Sequence, residues 1–144
     1  MIRLRSAIQE DLKFTYQLKK LTLKEHVTQT WGWDEEWQWK YHVEKFNSEK
    51  MKIITENDKD IGCLLVDEFS NRLDISIIEI LPEYQNQGIG TFLIKNIIKK
   101  GLKENKDIEL QVLKVNKRAL KLYLSLGFVI KSENKTHFQL IFIV

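Results

Sequence analysis

The sequence predicts an α+β domain: a mixed sheet of about seven strands flanked by about four helices, in the order β-α-α-β-β-β-α-β-α-β-β. Three observations predict it. Short stretches of two-residue alternation mark strands, while apolar rows at three- and four-residue spacing mark helices. The strands between Met51 and Leu81 follow one another through short polar turns, the pattern of an antiparallel meander. The 144 residues are 43% hydrophobic and 30% charged, without repeat, low-complexity tract or linker, so a single domain over 1–144 is expected.

Each element has its own warrant. Ile2 and Leu4 alternate with Arg3 and Arg5 as a first strand. Gln9-Glu10-Asp11 places acids where a first helical turn favours them, and Leu12, Tyr16, Leu18, Leu21 and Val27 continue a helical stripe. After Trp31-Gly32-Trp33, Asp34 is suited to cap a second helix running to about Phe46, with Trp33, Trp37 and Tyr41 spaced by four. Met51–Glu56, Ile61–Phe69 and Arg72–Leu81 read as strands, separated by turns at 57–60 and 70–71. Pro82 ends the third of these because it cannot donate to a ladder. From Ile89 to Leu102 two apolar rows appear, Ile89/Leu93/Ile97 and Ile94/Ile98/Leu102. Ile108, Leu110 and Val112 alternate as a strand, Asn116–Ser125 forms a helix stopped by Gly127, and 128–130 with 136–144 close a hairpin.

Composition narrows the function classes. The net charge is +3, with lysines interleaved among acids, so most charge reads as a solvated face. A pocket for an anionic ligand suits this balance, and no nucleic-acid partner is expected. Cys63, the single cysteine, cannot form an internal disulfide, which points to a reducing compartment and a cytoplasmic location. His26, His42 and His137 share no metal-site spacing, so no metal is expected. The N-terminal residues have no apolar region of signal-peptide type, and no run is long enough to span a membrane.

The segment that carries chemistry is Pro82-Glu83-Tyr84-Gln85-Asn86-Gln87-Gly88-Ile89-Gly90, which joins a strand to a helix. Gly88 and Gly90 let main chain approach a ligand, and the helix start offers free N–H groups and a positive dipole end, which together suit a phosphate or pyrophosphate. A Walker loop needs Lys-Ser or Lys-Thr after its last glycine, where Thr91 and Phe92 stand. A dinucleotide fingerprint needs a small residue where Leu93 stands. The remaining candidate is a Gln/Arg-x-x-Gly-x-Gly/Ala turn.

That turn, over Ile80–Thr91, resembles the signature of the GNAT N-acetyltransferase superfamily. Leu110-Gln111-Val112, Asn116, Ala119, Leu122-Tyr123 and Leu126-Gly127-Phe128 resemble the family's later strand-helix-strand segment, so the resemblance spans nearly the whole chain. It implies a twisted, mostly antiparallel sheet splayed at a slot for acetyl-CoA, the co-substrate. Ile78, Glu79 and Ile80 match positions whose backbone meets the pantetheine arm. The amides of Asn86, Gln87, Gly88, Ile89, Gly90 and Thr91 match the pyrophosphate contacts. Asn116 matches a contact to the cofactor arm, and Tyr123 matches the tyrosine near the thioester sulfur. The resemblance further implies direct attack by an amine in a ternary complex, with Tyr123 as general acid. Glu79 is the first choice of base and Asp74 the second, since Gln111 stands where some relatives carry a glutamate. The region between the first two strands matches the acceptor pocket, which makes Trp31 and Trp33, with Glu79, candidates for substrate binding; a core role for Trp33 and Trp37 is the competing reading.

Other residues have plainer readings. Asn116 also suits a helix N-cap, Cys63 a buried inert thiol, and His26 a surface helix histidine. A non-catalytic acyl-CoA sensor on the same fold is the alternative function, and a lysine-based nucleic-acid surface at 95–106 and 114–121 is a third. The acceptor amine and the acyl length are open, as is a homodimer.

Overall fold

The computed structural model describes residues 1–144. Its strands are β1 (Ile2–Ser6), β2 (Lys52–Glu56), β3 (Lys59–Glu68), β4 (Arg72–Ile80), β5 (Asp107–Leu113), β6 (Val129–Glu133) and β7 (His137–Phe142). The helices are α1 (Leu12–Trp31), α2 (Glu35–Lys45), α3 (Ile89–Glu104) and α4 (Lys117–Ser125), and single 3-10 turns stand at Gln9–Asp11 and Pro82–Tyr84. The element order is the expected one. One seven-stranded sheet runs β1-β2-β3-β4-β5-β7-β6. The β4–β5 pair is parallel over Arg72–Ile75 and Asp107–Leu110, whereas β1–β2, β2–β3, β5–β7 and β6–β7 are antiparallel. No helix is long and apolar enough to cross a membrane.

The chain gathers into two compact units, Met1–Leu65 with Ile77–Gln87, and Val66–Ser76 with Gly88–Val144. The first is built on Ala7, Leu18, Met51, Ile53 and Cys63, against which Phe14, Phe46, Leu65, Ile77 and Leu81 pack. Its β2–β3 hairpin turns on Asn57 and Asp58 alone, both left-handed at φ 50° and 66°. Asn and Asp tolerate this conformation, the one a two-residue hairpin needs. Lys59 and Asp60, expected in the turn, instead pair with Glu56 and Thr55. Arg5 on β1 then reaches both Asp60 on β3 (Nη2–Oδ2 2.9 Å) and Asp11 (Nη2–Oδ1 2.8 Å, Nη1–Oδ2 2.9 Å). Asp11 is buried, and the Arg5 guanidinium holds its carboxyl below the usual range.

Helix α2 does not bury Trp37, against the competing reading that gave it a core role. Trp37 is 57% exposed and stacks on Tyr41 with centroids 5.1 Å apart. The inward face carries Gln38, which is buried, and His42, whose Nε2 lies 2.9 Å from Thr15 Oγ1 and 3.2 Å from the Leu12 carbonyl on α1. Hydrogen bonds to α1 make a polar residue the inward one, which outweighs apolar periodicity here.

In the second unit Ile89, Leu93, Ile94 and Ile97 of α3 are buried, as are Ile108, Leu110 and Val112 of β5. Leu102, expected in an inward row, is 57% exposed. Gly101 takes the inward place because a Cβ there would stand 2.6 Å from both the Lys106 carbonyl and the Ile108 side chain. The close fit of α3 onto β5 leaves no room for a larger residue.

Candidate functional site

The strand-to-helix turn after β4 is shaped by two left-handed residues, Asn86 (φ 62°) and Gly88 (φ 81°). Gly88 is the N-cap of α3 and offers no side-chain acceptor, and the first turn of α3 holds no acid. The helix's first internal bond runs from Phe92 N to the Gly88 carbonyl at 2.9 Å. The N–H groups before Phe92 therefore have no partner within the helix, and they point from its positive end. Helices α2 and α4 differ: Asp34 caps Trp37 N at 3.0 Å, and Asn116 caps Ala119 N at 3.2 Å. A Cβ at Gly88 would meet nothing within 4 Å, so the space beside the N-cap of α3 is open. The turn thus fits a bound anion, and a diphosphate would suit its row of donors.

Two glutamines brace the loop. Gln85 Nε2 donates to the Ile80 carbonyl at 2.8 Å, and Gln87 Nε2 donates to the Glu83 carbonyl at 3.0 Å. The first bond ties the turn to the end of β4. Gln85 therefore has a bracing role beyond opening the motif, and one acceptor site on Ile80 is already used.

Glu79, between Ile78 and Ile80, has a partly exposed residue surface but an enclosed carboxyl group, and this burial pushes the carboxyl up to about 7. The Lys19 charge on α1 and the Cys63 thiol on β3 act in the opposite direction. Cys63 Sγ lies 3.8 Å from Glu79 Oε1. Glu79 thus titrates where a general base works best. Asp74, the second choice, is paired with Arg72 Nε at 3.0 Å.

Tyr123 of α4 is 8% exposed and packs edge-on to Phe128, with centroids 5.8 Å apart. Burial pushes its phenol up to about 12, so it keeps its proton throughout the neutral range. Asn116 spends its side-chain oxygen on the cap of α4, and its NH2 group keeps its donors. Gln111 is exposed on β5.

Of the acceptor-pocket candidates, Trp31 ends α1 at 61% exposure, and Trp33 is partly buried with its indole N–H donating to Glu35 at 2.5 Å. Lys24 Nζ stands 5.7 Å from the Trp33 ring centroid, so a cation already occupies one face of that indole. Sequence reasoning missed three residues around Glu79: Lys19, Gly62 and Cys63. Of these only Gly62 carries a sequence signal, since glycine inside a strand often marks a close backbone approach.

The family described as Acetyltransferase (GNAT) family matches residues 10–128. Among solved structures, the PaiA N-acetyltransferase of Thermoplasma acidophilum in complex with coenzyme A is 19% identical, with a TM-score of 0.80 over 100% of this chain and 99% of that one. The ribosomal-protein-S18-alanine N-acetyltransferase of Escherichia coli is 19% identical, with a TM-score of 0.71 over 100% and 96%. Naa50 of Arabidopsis thaliana, in complex with the bisubstrate analogue CoA-Ac-MVNAL, is 19% identical with a TM-score of 0.66 over 97% of each chain. At these identities the likeness speaks for the fold.

Proposed function

Because the chain belongs to the GNAT acetyltransferase family, we propose that it moves an acetyl group from acetyl-CoA to an amine by direct attack in a ternary complex. The observation that carries this reading is the start of α3, where main-chain donors stand without side-chain cap or acid at a left-handed glycine. The amides of Asn86 through Thr91 hold the diphosphate, backbone groups of Ile78–Ile80 hold the arm, and Asn116 adds a side-chain donor. Acetyl-CoA supplies the acetyl group as a thioester; the remaining steps belong to the protein.

An alkyl amine with a pKa near ~10.4 is neutral in less than about one part in a thousand at pH 7. Glu79 takes the proton that must leave, directly or through water, and its carboxyl near 7 suits that task. A main-chain N–H near Ile80 donates to the oxyanion as it develops. Tyr123 gives a proton to the leaving thiolate. Its burial sets a tension: a phenol near 12 is always protonated when needed, yet gives its proton reluctantly to a thiolate of pKa ~8.5. A strong hydrogen bond from the hydroxyl supplies much of the assistance. Trp31 and Trp33 line the acceptor side.

The test is a panel of small amines, amino acids, polyamines and peptides assayed for thiol release from acetyl-CoA. At least one amine should accelerate release with formation of its N-acetyl product. Saturable acetyl-CoA binding without acceleration by any amine would replace this reading with that of an acyl-CoA sensor.

A further inference from the structure

Strands β3 and β4 meet unusually closely at Gly62. A Cβ on that residue would stand 2.3 Å from the Glu79 carbonyl oxygen and 3.2 Å from Ile80 Cα, and its other near neighbour is Ile54 at 3.1 Å. No side chain larger than hydrogen fits without moving β4. The next residue, Cys63, is 1% exposed on a strand whose Ile61 carbonyl also accepts from Leu81 N, just past the end of β4, at 2.8 Å. Its Sγ lies 3.8 Å from Glu79 Oε1, at the long end of an S–H···O contact. The thiol is the donor, since it sits far above its ordinary titration range through burial and the neighbouring carboxylate. Two groups from two elements thus act on the Glu79 carboxyl: the Cys63 thiol from β3 by contact, and the Lys19 charge, half-buried on α1, through space.

We propose that Cys63 is a positioning residue for Glu79: its thiol, brought within reach by the side-chain-free approach at Gly62, donates to the carboxylate and favours the ionised form that accepts a proton. This rests on the assignment of Glu79 as base only for its effect on catalysis; the contact itself stands on the β3–β4 geometry. A buried cysteine in an apolar strand would otherwise be inert packing, and valine would replace it at similar volume.

The experiment pairs a direct titration with a rate profile. The Glu79 side-chain carboxyl is followed by carbon-13 NMR in the intact wild-type protein, Cys63→Val and Cys63→Ser, and kcat/KM for an active amine is measured across pH for each. Cys63→Val should raise the Glu79 midpoint by about half a pH unit, as expected for losing a weak donor to a charged acceptor. The ascending limb of its rate profile should move by the same amount, giving about twofold lower kcat/KM at pH 7, about threefold lower at pH 6, and wild-type values at high pH. Cys63→Ser keeps a donor and should hold the midpoint at or below the wild-type one. Equal midpoints in all three proteins, or serine behaving as valine does, would overturn the proposal, as would a loss of activity uniform across pH. If Glu79→Gln turns over normally, the base assignment fails, while the NMR midpoints still decide whether Cys63 acts on Glu79.

Discussion

A carboxyl group near neutrality inside the first unit has two consequences that one substitution separates. Glu79→Gln removes the proposed base and should lower turnover by about 10²-fold or more. It should also stabilise the fold at high pH. The folded carboxyl near 7 lies above its ordinary 4.5, so the native state binds a proton more tightly than the unfolded chain. Stability then falls as pH rises through that window, by about 2–3 kcal/mol at most, since part of the residue remains open to solvent. Thermal melts should find Glu79→Gln more stable than wild type at pH 8 and equal to it at pH 4; a variant less stable at pH 8 would contradict the enclosed carboxyl. Tyr123→Phe should slow turnover while acetyl-CoA affinity stays within about threefold. Unchanged kcat would remove the phenol from the reaction. Both residues stand out in the sequence as candidates, Tyr123 through the family resemblance of its segment and Glu79 through its place on the strand before the glycine turn. The environment of Glu79 is not legible there, because Cys63 lies 16 residues away and meets it only once the β3–β4 register is known. Lys19 comes from a helix whose rotation periodicity alone did not fix.

Between elements, Arg5 ties β1 to β3 and to the turn that starts α1. Arg5→Ala would leave the buried Asp11 without its ion-pair partner, at a cost of about 1–2 kcal/mol because the Arg5 side chain is itself 36% exposed. Asp11 titrates below its ordinary range, so the pair contributes stability above the unfolded carboxylate pKa and loses it as pH falls. Urea unfolding at pH 7 and pH 3 checks this: the gap between wild type and variant should be wide at the first and narrow at the second. A gap independent of pH would assign the loss to packing alone. The strands and helices could be placed in order because alternation and apolar rows differ sharply in period. The facing of α2 could not, since Trp37 and Tyr41 obey the helical period as well as any core row does, and only the bonds of His42 to α1 decide which side turns inward. Leu102 misleads for the same reason: Gly101 next to it is the residue that the approach of β5 requires.

For the molecule as a whole, ligand linkage is the broadest test. If acetyl-CoA binds only the folded chain, it should stabilise by about 2.7 kcal/mol at a hundred times its dissociation constant. Gly88→Glu, which sets a carboxylate at the open N-cap of α3, should abolish that melting shift without lowering the unliganded midpoint by more than a few degrees. A retained shift would move the diphosphate away from this turn. The glycine pattern before α3 was readable because a helix start without side-chain caps leaves a compositional trace. The two-unit arrangement was not, since each unit draws on segments distant in sequence. If the diphosphate is held through peptide groups, as proposed, a constraint on how this stretch can vary follows. The Thr91 side chain is then free to change with little effect on binding, whereas Gln87, which donates to the Glu83 carbonyl, is held by its part in shaping the loop. The dihedral angles cannot drift, and variation along the loop is therefore limited by shape rather than by residue identity.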